Sequence, residues 1–199
     1  MHEKTDRRIL RTRHQLRDVL LDLALQKPLE TITVKELMEK SGLNRGTFYL
    51  HYQDIHDFLE QFKNEILENF HGIIKKLSHH IGSREPFTNP PSGYVRPFEY
   101  VLEHKRFFQI FMGPTGDNMF SLQLTELLKR EFYYAYLAQH QQLKLTNVPV
   151  KQHYLIAYLA SAYVGTINFW IQQDFDLLPT ELAILFSQIS RLGSAHIHF

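Results

Sequence analysis

Apolar residues recur along this chain at spacings of three and four rather than two, the period of helices and not of strands. From about Asp6 to Gln26, Leu16, Leu20 and Leu23 fall at i, i+4 and i+7 with Val19 beside them, and the arginines occupy other faces. Lys27 and Pro28 stop that helix. Thr33 opens the next, because Glu36 three residues on completes the T-x-x-E pattern in which each side chain satisfies a free backbone N–H. Val34, Leu37 and Met38 give it one buried face, and Ser41-Gly42 ends it, since glycine accepts the left-handed conformation of a helix C-terminus. Asn44 is a second N-cap, ahead of RGTFYLHY. Leu29 and Ile32 are expected to seal a three-helix core with Leu37, Leu43 and Phe48.

Gln53-Asp54 reads as a turn capping a long fourth helix to about Leu77, with Ile55, Leu59, Phe62, Ile66, Phe70 and Ile73 as its stripe. Gly82 to Gly93, GSREPFTNPPSG, is too rich in proline, glycine and serine to be helical. Pro97 is expected in the first turn of a helix reading PFEYVLEHKRFFQIFM. After a break at Gly113 to Gly116, helical periodicity returns from about Asn118 to His140 through Phe120, Leu124, Leu127, Leu128 and Phe132. Helices over roughly Val150 to Gln173 and Pro179 to Leu192 finish an all-α fold. The pattern has no internal repeat.

Composition narrows the class. A chain of 199 residues, 44% hydrophobic and 22% charged, buries a sizeable core and is not disordered. No apolar run approaches the roughly 20 residues that span a bilayer, and MHEKTDRRIL lacks the apolar core of a signal peptide, so a cytoplasmic protein without membrane association is expected. With no cysteines it has neither disulfides nor thiolate metal sites. Net charge is only +1, but it is unevenly placed. Lys4, Arg7, Arg8, Arg11, Arg13 and Arg17 against Glu3 and Asp6, six positive less two negative, put +4 in the first segment. That polarity suits one phosphate-facing end.

Two short helices joined by a glycine-bearing turn match the helix-turn-helix pattern, whose second helix enters the major groove. Arg45, in its first turn, has the strongest base-reading chemistry, because a guanidinium bonds guanine O6 and N7 together. Gly46 lets the helix approach the groove closely. Asn44, the cap, and His51, which can reach a phosphate or a base, complete the set that residue chemistry suggests.

The run TVKELMEKSGLNRGTFYLHY resembles the second and third helices of the TetR family of transcriptional regulators, some thirty residues beyond a basic amphipathic first helix. The resemblance implies an all-α homodimer that binds double-stranded DNA at a palindromic operator. It implies a helix-turn-helix DNA-binding domain at 1–53 and a helical effector-binding and dimerisation domain at 54–199, and a small-molecule inducer. It also puts Thr47 and Tyr49 on the DNA backbone and adds Thr33 and Lys35. One position departs from the family: where a lysine commonly opens the fourth helix stands Ile55, so either weaker DNA affinity or compensation by the N-terminal arginines is expected.

The segment LASAYVGTINFWIQQDFDLLPTELAILF is similar to the C-terminal region of a subgroup that includes regulators of dihydroxyacetone kinase operons. In that comparison the last two helices pair across a dimer, with Gly165 allowing close approach and Trp170, Leu182, Leu185 and Phe186 supplying apolar contact. Dimerisation would space two recognition helices about 34 Å apart. Among many aromatics, Tyr100, Phe107, Phe111, Tyr133 and Tyr158 are the candidates for an effector pocket, because phenol hydroxyls bring polarity into an apolar interior. The 12 histidines include His79-His80 and His196-Ile197-His198, but neither pair has carboxylates in ligand-like spacing, so no metal is expected.

No phosphate loop, nucleophile elbow, zinc signature or dinucleotide fingerprint is present, so neither an enzyme nor a cofactor is expected. The expected function is a dimeric repressor released when an effector favours a dimer geometry with the wrong helix spacing. The alternative is a co-regulator of the same fold controlled by a protein partner.

Overall fold

A computed structural model describes residues 2–78, 90, 92–113, 116, 118–139 and 149–196, with side chains described at most of these positions. His79, His80, His140 and His198, and most of the Gly82–Gly93 stretch, lie outside the described residues. Secondary structure among the described residues is helical: α1 (His2–Ala24), a 3-10 turn (Leu29–Thr31), α2 (Val34–Ser41), α3 (Arg45–Tyr49), α4 (Ile55–Ser78), α5 (Ser92–Glu103), α6 (Lys105–Met112), α7 (Asn118–Gln139), α8 (Val150–Gln172) and α9 (Pro179–His196). The chain divides into two compact units, Met1–Ile66 and Leu67–Phe199, so α4 contributes to both.

In the first unit Leu16 and Leu20 of α1 close over Ile32, Leu37, Met38 and Phe48, all buried. Leu29 and Leu43, expected beside them, are only half-buried. The buried line of α4 is Phe58, Phe62, Ile66, Phe70 and Ile74, a strict i+4 series. The expected stripe was right at its centre, but Ile55, Leu59 and Ile73 flank it, because Phe58 turns inward against Phe48 and Tyr52. Arg17 of α1 clamps Glu65 of α4 through two bonds of 2.5 Å and lies 4.8 Å over the Phe62 ring.

In the second unit α5 begins five residues earlier than proline placement suggested. Pro97 sits inside α5 and is buried. The bond it cannot donate would have gone to Gly93, near the helix start, where one missing bond costs least. The single helix expected from Pro97 to Met112 is two, because His104 adopts φ −106 and ψ 28 between α5 and α6. The core is aromatic: Phe107 stacks on Phe111 at 4.3 Å and meets Phe120 edge-on at 5.1 Å. Phe98 stacks on Tyr163 at 5.2 Å and meets Trp170 edge-on at 6.2 Å.

Two features of α8 stand out. It is long and apolar enough to cross a membrane by length and composition, which corrects the expectation that no such run exists. Its residues Ile156, Ala160, Tyr163, Ile167 and Trp170 are nevertheless buried within this unit, as in the core helix of a helical protein. Second, the Tyr163 hydroxyl is buried with no hydrogen-bond partner among the described residues, and burial pushes its ionisation far above the ordinary phenol value. An unmet buried hydroxyl costs about 1–3 kcal/mol. Tyr163→Phe is therefore expected to leave the fold unchanged and raise stability by up to about that amount, measured by denaturant titration.

Candidate nucleic-acid interface

Local sequence chemistry builds the α2–α3 pair as anticipated. The Thr33 hydroxyl accepts from Glu36 N at 3.3 Å, and Glu36 Oε2 accepts from Thr33 N at 3.0 Å, a complete capping box. Gly42 follows α2 with φ 67, the left-handed region in which a β-carbon is strained. Asn44 Oδ1 then accepts from Gly46 N at 2.9 Å and starts α3. Helical turns continue past Tyr49 through Tyr52 N, which donates to Phe48 O at 3.0 Å. Phe48, Tyr52 and Phe58 form one buried aromatic cluster with ring centroids 4.7–5.9 Å apart, which locks α3 onto the start of α4.

Once Phe48 points inward, the rest of α3 must face out. Arg45, Gly46 and Tyr49 are exposed and Thr47 and His51 half-exposed. Arg45 Nη2 donates to the Tyr49 hydroxyl at 3.1 Å, and its guanidinium lies 5.6 Å over the Tyr49 ring. The two side chains thus form a clasp on the exposed face, holding the guanidinium partly ordered before any ligand arrives. Lys35 of α2 is exposed on the same short unit, 3.8 Å from Glu39. Thr33 and Asn44 use their side chains as caps, so their part in the interface is to hold the two helix starts.

One surface residue escaped the sequence reading. Leu50, directly after α3, is 79% exposed. A leucine two positions past the phenylalanine that fills the core falls on the opposite side of the turn, and that offset was readable from two helical steps of about 100° each.

Charge around this face differs from expectation. Arg17 pairs with Glu65, and Arg7 and Arg11 are exposed to solvent. At the start of α4, Asp54 Oδ1 accepts from Asp57 N and Asp57 Oδ2 accepts from Gln53 N, each at 2.9 Å. Ile55 thus lies between two carboxylates that already occupy local backbone donors.

Two outcomes follow from this geometry. The Lys27 ammonium, followed by the Thr33 cap, holds the Glu36 carboxyl at about 2 against an ordinary 4.5. Its stabilising share is complete above about pH 4.5 and is lost as pH falls through about 2. Melting temperatures of Glu36→Gln and the native chain should converge over that interval. Gly46 is in helical backbone, and an added β-carbon would meet only Asn44 Oδ1, at 3.4 Å. Gly46→Ala is thus expected to raise stability by about 0.5–1 kcal/mol. If the glycine serves close approach to a groove, the same variant binds DNA more weakly in gel-shift titration.

The second unit gives the other expected sites a different distribution. Tyr100, Phe107 and Phe111 are buried in rings packed on rings, which fills the space they were expected to line. Tyr158 is exposed. Tyr133 borders an open pocket of about 310 Å³ with Glu126, Lys129, Arg130 and Tyr134. Among the expected interface residues, Gly165 and Leu185 are exposed and Phe186 half-buried, edge-on to Tyr163 at 4.5 Å. Trp170 and Leu182 change place: both are interior, and Trp170 Nε1 donates to Leu177 O at 3.1 Å. The outward face of α8 carries Tyr154, Tyr158, Ser161, Gly165 and Phe169 instead, a continuous exposed line at helical spacing. Among the described residues no group of three or more histidines, aspartates or glutamates is placed to hold a metal.

A family model described as "Transcriptional regulator C-terminal region", of TetR type, matches residues 88–192, just over half of the chain. The chain belongs to the TetR family. Its relatives include the uncharacterized HTH-type transcriptional regulator YxbF of Bacillus subtilis (strain 168), 24% identical over 174 residues. That alignment covers 85% of this chain and 42% of YxbF, so the chain spans about two-fifths of the length of the curated relative it matches. A TetR transcriptional regulator from Streptococcus agalactiae 2603V is similar in structure, with TM-score 0.60 and 18% identity over 96% of this chain and 99% of that one. The dihydroxyacetone kinase operon activator DhaS is similar too, with TM-score 0.59 and 18% identity over 94% and 96% of the two chains. At those identities the structures establish the shared all-α TetR fold. Membership in the family makes this chain a transcriptional regulator of TetR type.

Proposed function

We propose that this TetR-family regulator is a cytoplasmic homodimer that binds a palindromic operator, represses the adjoining genes, and is released by a small-molecule effector. The observation that carries the DNA reading is the Arg45–Tyr49 clasp on the exposed side of a short helix whose other side is fixed by Phe48. Arg45 reads a guanine edge, and Leu50 meets a thymine methyl. Thr47 and Tyr49 bond phosphates beside them. Lys35 and His51 add contacts from the flanks, while Thr33, Asn44 and Gly46 set the helix starts and the closeness of approach. With carboxylates at the start of α4, the long-range attraction to phosphate falls to Arg7 and Arg11.

The exposed line on α8 supports the dimer. A helix that is apolar on both faces has only one face covered by its own subunit. Gly165 and Phe169 on α8, with Leu185 on α9, supply the outward contact, and Phe186 supports it from behind. DhaS, of the same fold, is described as an activator, so the direction of regulation is open to a direct test. A reporter fused to the chain's own upstream region decides it. Repression predicts lower output when the chain is expressed, and unchanged or raised output rejects it.

A further inference from the structure

Residues 45–52 fall into four rows of two, because side chains four apart stand one helical turn above each other. Phe48 and Tyr52 are the buried row. Arg45 and Tyr49 form one flank, tied by their 3.1 Å bond and by the guanidinium over the ring. Thr47 and His51, both half-exposed, form the other. The row opposite the core is Gly46 and Leu50. Leu50 N donates to Gly46 O at 3.2 Å, and Leu50 keeps helical backbone at φ −70 and ψ −20, so the row is held although α3 ends at Tyr49. The outermost row of the helix proposed to enter a groove therefore ends in a leucine, 79% exposed, above a glycine with no side chain to share the space.

We propose that Leu50 reads the C5 methyl group of a pyrimidine in the operator, so that binding follows the methyl and not the identity of the base that carries it. The inference rests on the operator reading above and adds a chemical rule to it. An exposed leucine alone needs no explanation, but this one stands at the centre of a face whose two flanking rows are polar. Its side chain has no hydrogen-bonding atom, and in the major groove the base edges offer donors, acceptors and one apolar group, the thymine methyl. Tyr49, the other large apolar surface beside it, is already engaged, edge-on to Phe48 at 5.5 Å and beneath the Arg45 guanidinium. 5-Methylcytosine carries a methyl at the same ring carbon and differs from thymine there in an amine that replaces the O4 oxygen. Leu50 has nothing with which to tell amine from oxygen. Methylation of a cytosine at this position thus strengthens the site, and modification of the DNA, rather than a ligand of the protein, sets its occupancy.

The test uses the full chain and the duplex that it selects from random sequence. Each thymine of one half-site is replaced in turn by uracil, which keeps every hydrogen-bonding atom and lacks only the methyl. At one position the native chain should bind about fourfold more weakly, the scale of one buried methyl. At that position, with each base paired to its complement, 5-methylcytosine should bind as thymine does and cytosine as uracil does. Leu50→Ala, at an exposed position, should bind all four alike, whereas Arg45→Ala should keep the fourfold ratio at lower affinity. No thymine sensitive to uracil, 5-methylcytosine binding like cytosine, or a uracil effect that survives in Leu50→Ala and so belongs to the shape of the DNA, would each overturn the proposal. A selected site indifferent to its methyls fails this inference alone. Selection of no site fails operator binding and this inference with it.

Discussion

Arg45→Ala should weaken operator binding by about 1–3 kcal/mol per half-site, roughly five- to a hundredfold, and relax base preference at the position it reads. The fold should be unaffected, because the side chain is exposed and its partner Tyr49 keeps its edge contact with Phe48 at 5.5 Å. The specificity change is the diagnostic part. An arginine that only clamped a phosphate would lower affinity for every sequence alike and reduce the salt slope by about one. Binding measured against the operator and its single-base variants separates the two. Tyr49→Phe is the companion variant, since it keeps the ring beneath the guanidinium and removes the 3.1 Å bond.

Phe169→Arg is expected to turn the proposed dimer into a monomer with little change in the stability of each subunit. Phe169 is 63% exposed, so its loss opens no cavity within the chain. An arginine there would bring a desolvated charge to the end of the exposed line, one turn from Gly165, where nothing among the described residues lies within 4 Å of an added β-carbon. Sedimentation should report the change of mass. Operator affinity should fall by about a hundredfold or more, because two half-sites joined through one dimer gain a factor of about 10²–10⁴ over separate binding. Trp170→Ala makes the contrast. It should cost about 3–5 kcal/mol of subunit stability, since Trp170 packs on Phe98 and Phe175 inside its own chain.

Much of this molecule was legible in its sequence, for local reasons. Thr33, Glu36, Gly42 and Asn44 act within a turn or two of themselves, and helix starts and stops followed their chemistry closely. The family run TVKELMEKSGLNRGTFYLHY fixed which face of α3 is outward because Phe48 has one place to go. Tertiary choices were harder. The sequence could not say that Phe107 and Phe111 would stack on each other rather than border a cavity, since both arrangements use the same residues at the same spacing. Nor could it say which face of α8 its own subunit covers, because Trp170 and Phe169 are adjacent and equally apolar.

Selecting bound sequences from random duplexes at moderate salt tests the central claim most directly. The account predicts enrichment of a palindrome with a guanine in each half-site, the half-sites set about 34 Å apart, and loss of that guanine preference with Arg45→Ala. Failure of the native chain to enrich any site, or enrichment of the same palindrome by the Arg45→Ala variant, would contradict it.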